Sequence, residues 1–205
     1  MSGKIQNLLE QANYSETNDS SVTFAKRAFL NEAEAESYFK KVRHELFDLE
    51  IWDKNSTPSS YEMFEENGNV CDDKTIVLGR FIRINVPGSG KFDWVKVIEI
   101  HDVPDEFVIR VQPTYDPTAK PVDKTVVSHF FHGGATNNFC LQKDDKEIIL
   151  YVIGINEKVN TKETNNTIET VRNLATANLG YYLGMQKAMW KDFCMNFLEV
   201  GEEEK

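Results

Sequence analysis

Apolar positions follow three rhythms along this chain, and each rhythm predicts a different kind of element. Near the start, Ile5, Leu8, Leu9 and Ala12 fall at helical spacing and predict a short amphipathic arm. The polar stretch Asn13–Ser20 reads as a linker, and Val22–Phe29 as a first strand. Asn31, followed three residues later by Glu34, is a capping pair that opens a helix through Ala33, Tyr38, Phe39, Val42 and Leu46. Asp53–Asp73 has no period; its strong apolar groups are Tyr61, Met63 and Phe64, and it reads as an irregular connection with at most one short strand. From Thr75 the period becomes two. Ile76, Leu78, Ile82, Ile84 and Val86 share a face that Arg80 interrupts.

Turn chemistry then divides a run of strands. Pro87-Gly88-Ser89-Gly90 suits a hairpin into Phe92–His101, and Val103-Pro104-Asp105-Glu106 turns the chain into Phe107–Tyr115. A loop punctuated by Pro113, Pro117 and Pro121 precedes a strand read over Val126–Leu141, and Asp144-Asp145 leads into Ile148–Ile155. Five consecutive strands with mostly short connections predict an antiparallel meander.

The last rhythm is helical again and spans roughly Asn166 to Leu198. Asn166 and Glu169 form its capping pair, and Gly201 stands where a C-terminal cap belongs. Ile168, Val171, Ala175, Tyr182, Met189, Phe193 and Phe197 make a stripe that Leu174, Tyr181, Met185 and Trp190 widen. A stripe this broad needs a concave surface, such as a curved sheet presents. Gly180 and Gly184 lie four apart on that helix, each costing about 1 kcal/mol relative to alanine. Close approach of a strand, room for a ligand, or a partner helix would offset that cost.

Composition narrows the function classes. Apolar residues are 40% and charged residues 27% of the 205, the profile of a globular domain. A formal charge of -10, with basic residues scattered among acids, argues against nucleic acid as a partner. No apolar run is long enough for a membrane span and the first residues lack a signal-peptide core, so the expected location is cytoplasmic. Cys71, Cys140 and Cys194 are too few and too far apart for a disulfide framework or a zinc knuckle.

No motif assigns a chemistry. His129 and His132, with His101 or Glu157, invite a metal reading, but residues three apart in a strand point to opposite faces. Gly88-Ser89-Gly90-Lys91 lacks the spacing and the following helix of a phosphate loop. Ser128 and His129 are neighbours and so face apart in a strand, and no nucleophile–base–acid triad emerges. No cofactor and no metal is implied. Polar groups within apolar patterns point to a cavity instead: Arg80, Lys96, Asn178 and Gln186, with Trp94, His129, Tyr151, Tyr182 and Met189 as lining candidates. The alternatives for these are an outward-facing charge and an ordinary aromatic core.

The order of elements resembles the helix-grip fold of the START and Bet v 1-like superfamily. The resemblance rests on Val22–Phe29 as first strand, Glu32–Leu46 as the small helices and Trp52–Glu65 as a second strand region. It continues with Leu78–Ile84 as a central strand, the Pro87–Gly90 hairpin, and Trp190, Phe193, Phe197 and Leu198 on the final helix. It implies an α+β domain over residues 21–200, a curved antiparallel sheet around a long C-terminal helix, after an arm and linker at 1–20 and before an acidic tail at 201–205. It also implies binding of a small apolar or lipid-like ligand between sheet and helix. Two other readings stay open: an assembly protein, homo-oligomeric through the arm or a sheet edge, and an enzyme using His129, His132 or Glu157 as acid–base groups.

Overall fold

The computed structural model describes residues 3–14, 19–56, 59–85, 92–160 and 186–201. Its elements run α1 (Lys4–Asn13), β1 (Ser21–Ala28), α2 (Glu32–Leu46), α3 (Leu49–Asn55), β2 (Ser60–Phe64), β3 (Phe81–Asn85), β4 (Phe92–Val103), β5 (Glu106–Pro113), β6 (Thr136–Asp144) and β7 (Glu147–Ile155). A further helix, α4, covers 186–197. The strands form one antiparallel sheet in the order β1-β7-β6-β5-β4-β3-β2, which leaves β1 and β2 as its edges. The β4–β5 register slips between Val97 and Glu99, and this bulge bends the longest strand. The sheet curls into a half-barrel.

Strand alternation gives the curl an inner and an outer face. Inward residues include Ala25, Met63, Ile82, Val95, Val97, Ile109, Phe139, Leu150 and Val152, all in one core with α2, α3 and α4. The centre of that core is aromatic. Trp52 lies 4.3 Å from Phe139 and 5.3 Å from Phe193 between ring centroids, and Trp190 lies 5.3 Å from Phe139. Phe193 and Phe197 stack at 4.5 Å. Such tilted and edge-on pairs add to the burial energy of the rings themselves.

The outer face is covered too. The apolar side of α1 sits on it, burying Ile5 and Leu8 against Val108, Cys140, Ile153 and Ile155. Lys4 Nζ anchors the helix to Glu99 at 2.7 Å, and the Lys4 amide donates to Glu106. A second outer cluster joins Phe64, Phe81 and Trp94.

Several predicted boundaries move for identifiable reasons. Asn31 does cap α2, accepting from the Glu34 amide. The strand expected from Thr75 begins only at Phe81, because Gly79 takes a left-handed turn at φ 85° and Thr75 makes an isolated bridge to Asp48. Trp52 belongs to a helix, not to the second strand region. The strand read over Val126–Leu141 starts at Thr136. Before it, His129 Nδ1 and His132 Nδ1 each accept the amide two residues on, at 2.8 Å, holding the chain in turns. The cap expected at Gly201 falls earlier: Glu199 takes the left-handed conformation at φ 51°. Arg27 donates to the Leu198 carbonyl and to the Tyr38 hydroxyl, both at 3.0 Å, tying β1, α2 and the end of α4 together. The capping pair Asn166/Glu169, and Asn178, Gly180, Tyr182 and Gly184, lie outside the described residues.

Phe193→Ala should lower the unfolding free energy by roughly 3–5 kcal/mol, since the ring is fully buried among four others. Urea denaturation followed by tryptophan fluorescence measures it; a loss below about 1 kcal/mol would show that the aromatic cluster does not hold α4.

Candidate functional site

Antiparallel pairing gathers alternate strand termini at one end of the half-barrel. The starts of β1, β6 and β2 and the ends of β7, β5 and β3 all lie there, and the first described turn of α4 crosses the same end. Polar side chains otherwise scattered through the sequence meet at this opening.

On one side the centre is Glu157. Ser21, Gly154 and Asn137 stand in one row across β1, β7 and β6. Beyond β7, Asn156 adopts φ 53°, a conformation asparagine tolerates, and turns the chain back. Glu157 is pinned by its own amide, which donates to the Asp19 carbonyl at 2.7 Å. Its side chain then lies flat over Gly154, where a Cβ would come within 2.1 Å of the carboxyl carbon. The residue is only 9% exposed. Ser21 Oγ donates to Oε2 at 2.6 Å, the Asn137 amide nitrogen to Oε1 at 3.2 Å, and Gln186 Nε2 to Oε1 at 3.4 Å. Burial pushes the carboxyl above its ordinary range, and the hydrogen bonds from Ser21 and Gln186 only partly oppose that.

On the other side, β2 and α4 meet. Ser59, nearly fully buried, donates to the Met189 sulfur at 3.2 Å. Two residues on, the Tyr61 ring packs edge-on against Trp52; its hydroxyl lies beside that of Ser56, which donates to the Trp52 carbonyl, and among the described residues it makes no well-formed hydrogen bond. Trp190 Nε1 is likewise buried and without a hydrogen-bond partner among the described residues. Burial pushes the Tyr61 phenol far up, so it stays protonated and a donor. Among the described residues, Tyr61 and Trp190 thus bring two buried polar hydrogens into the aromatic core, and Glu157 sets one buried carboxyl at its open end.

The residues singled out by sequence separate. Gln186 and Met189 face this opening. Trp94 sits on the outer face against Phe64, and Tyr151 is outward beside Phe24, 5.7 Å between centroids. Arg80 lies outside the interior, donating to Glu65 at 2.6 Å and to the Cys71 sulfur at 3.3 Å. Lys96 lies over the outer face of Phe81. His129 stands in the loop before β6, where burial lowers its pKa and Asp93 partly restores it. His132 shares that loop, and its amide donates to the Lys158 carbonyl, beside Glu157 in sequence. Among the described residues no three His, Cys, Asp or Glu side chains form a metal-holding group. Cys140 and Cys194 are buried and their thiols pushed up by burial, which keeps them unreactive. A groove of about 410 Å³ opens beside the Glu157 cradle, between Val22, Thr23 and Phe24 of β1 and Lys187, Ala188 and Lys191 of α4.

Sequence reasoning passed over Ser21, Ser59, Tyr61 and Asn137. One signal was present: Gly154 is an isolated glycine within a strongly apolar strand, the usual mark of something lying close on the backbone.

Sheet, inner helix and opening define an α+β helix-grip fold. No protein-family model matches the sequence, and no curated protein is significantly similar to it. Among solved structures, the hypothetical protein jhp0584 from Helicobacter pylori is similar in fold, with a TM-score of 0.55 and 12% identity over 91% of this chain and 92% of that one. Ara h 8.0201 aligns at a TM-score of 0.38 and 12% identity, over 88% and 99% of the two chains. No helix among the described residues is long and apolar enough to cross a membrane.

Glu157→Gln should raise the denaturation midpoint at pH 7–8. The folded carboxyl titrates above its unfolded value, so the native state holds the proton more tightly. Its contribution to stability is greatest at acid pH and declines as pH rises from the ordinary carboxylate range through the folded pKa. The gain of the variant over the parent should therefore shrink towards zero near pH 4, as paired thermal melts across that range would show.

Proposed function

We propose that this protein binds a small, largely apolar molecule at the open end of the half-barrel, against the aromatic floor and under the first described turn of α4. The observation that carries this reading is the pair of buried donors, Tyr61 Oη and Trp190 Nε1, without a well-formed hydrogen bond among the described residues in a largely apolar core. An unsatisfied buried donor costs about 1–3 kcal/mol, and a ligand acceptor offsets that cost on binding. An apolar chamber with few convergent polar groups is the general form of a small-molecule site. The likeness to the Helicobacter pylori protein supports the fold and no more. The assembly reading is disfavoured by α1, whose apolar side is taken by its own sheet.

A neutral fluorescent probe, N-phenyl-1-naphthylamine, should bind the full chain saturably at one site, and Met189→Trp, which fills the opening, should weaken it at least ten-fold. Linear, non-saturating fluorescence, or binding indifferent to Met189→Trp, would count against the site. Tyr61→Phe adds a second readout. Losing an unpaired hydroxyl should stabilise the free protein by about 1 kcal/mol while weakening an oxygen-bearing ligand such as 1-octanol several-fold.

A further inference from the structure

Among the described residues, Glu157 is a buried carboxyl surrounded by donors but given no cation. Ser21, Asn137 and Gln186, which hold it, are all uncharged. The lysine next to it in sequence, Lys158, is turned to Asp19 at 3.4 Å. Among the described residues Glu157 forms no ion pair. The contrast with Arg27, at the opposite end of β1, is direct: that guanidinium has Glu199 at 3.2 Å. A carboxylate taken out of water is costly unless a positive group reaches it, whereas glutamine at this position would meet the same neighbours at far lower cost. The surroundings nevertheless favour a carboxyl group. Gly154 leaves a flat bed for it, and three separate elements converge donors on its two oxygens.

We infer that the ligand of this site carries a protonated amine on an apolar body, with Glu157 as the counter-ion for the ammonium group and the aromatic floor receiving the body. The inference rests on the binding reading above. An ammonium brings donors to a carboxylate whose oxygens retain acceptor capacity beyond the three bonds described, and charge-assisted bonds of this kind are about twice as strong as neutral ones. Ser21, Asn137 and Gln186 are positioning residues that hold the carboxyl in place. Gly154 is the platform.

The test is calorimetric titration of the full chain at pH 7 with three molecules of one chain length: n-octylamine, 1-octanol and octanoate. The parent protein should bind octylamine at least ten-fold tighter than octanol, about 1.4 kcal/mol, with octanoate weakest. Glu157→Gln should remove the preference, so that in the variant octylamine binds no tighter than octanol. Gly154→Ala, which displaces the carboxyl from its bed without removing it, should do the same, and it supplies the readout if Glu157→Gln fails to fold. Octylamine no tighter than octanol in the parent, or an amine preference that persists in the folded variants, overturns the inference while the binding reading stands. Failure of all three molecules to bind the parent removes both.

Discussion

The contact between the aromatic side of α4 and the inner face of the curled sheet is what the remaining structure depends on. A half-barrel has a concave face that no neighbouring strand can cover, and α2 and α3 cover only part of it. Trp190 and Phe193 extend the cover by meeting Phe139 and Trp52 ring against ring, and Phe197 follows against Phe193. At the far end Arg27 clasps the last turn of α4 to β1 and α2. With the helix fixed in the middle and at its end, its first described turn is held over the opening, and Gln186 and Met189 are brought to Glu157 and Ser59.

That arrangement explains why polar groups survive at the opening. Deep in the interior the inward strand positions are apolar apart from Thr23, and a buried donor without a partner there costs stability. At the strand termini the sheet gives out and the backbone turns away, so side chains such as Ser21, Asn137 and Glu157 bond to one another across three strands. The outer face has its own polar network under α1. There Arg110 pairs with Glu99 at 3.0 Å and donates to the fully buried Asn138 at 2.6 Å. Among the described residues the two networks differ in kind: the outer one balances its charges, and the inner one does not.

Much of the fold was legible in the sequence because it is written in periodicity. The Asn31 cap, the alternation of β4, β5 and β7, and the Met189, Phe193 and Phe197 end of the last stripe are local signals that the tertiary structure leaves unopposed. The failures were also local. Val126–Ala135 has the composition of a strand, but two histidines bond their own backbone, and the segment pairs instead with residues near Val159. Trp94 and Tyr151 looked like cavity residues because an alternating strand does not say which of its two apolar faces lies inward. Both faces are covered here, by α4 within and by α1 and Phe64 without, so burial alone did not separate them. Glu157 meets Ser21 from 136 residues away, and no spacing rule reaches that far.

The pairing of β1 with β7 has a consequence for how the molecule assembles. Val22 lies opposite Ile153, so the first strand made is joined to the sheet by the last. Hairpins β4–β5 and β6–β7 close over tight turns, while β1 pairs across most of the chain with β7, its one partner strand among the described residues. Closure of so long a loop is slow, and the free edge of β7 stays open to mispairing until it happens. The edge strand that shapes one wall of the opening is thus also the folding latch, the piece whose arrival marks the chain as native.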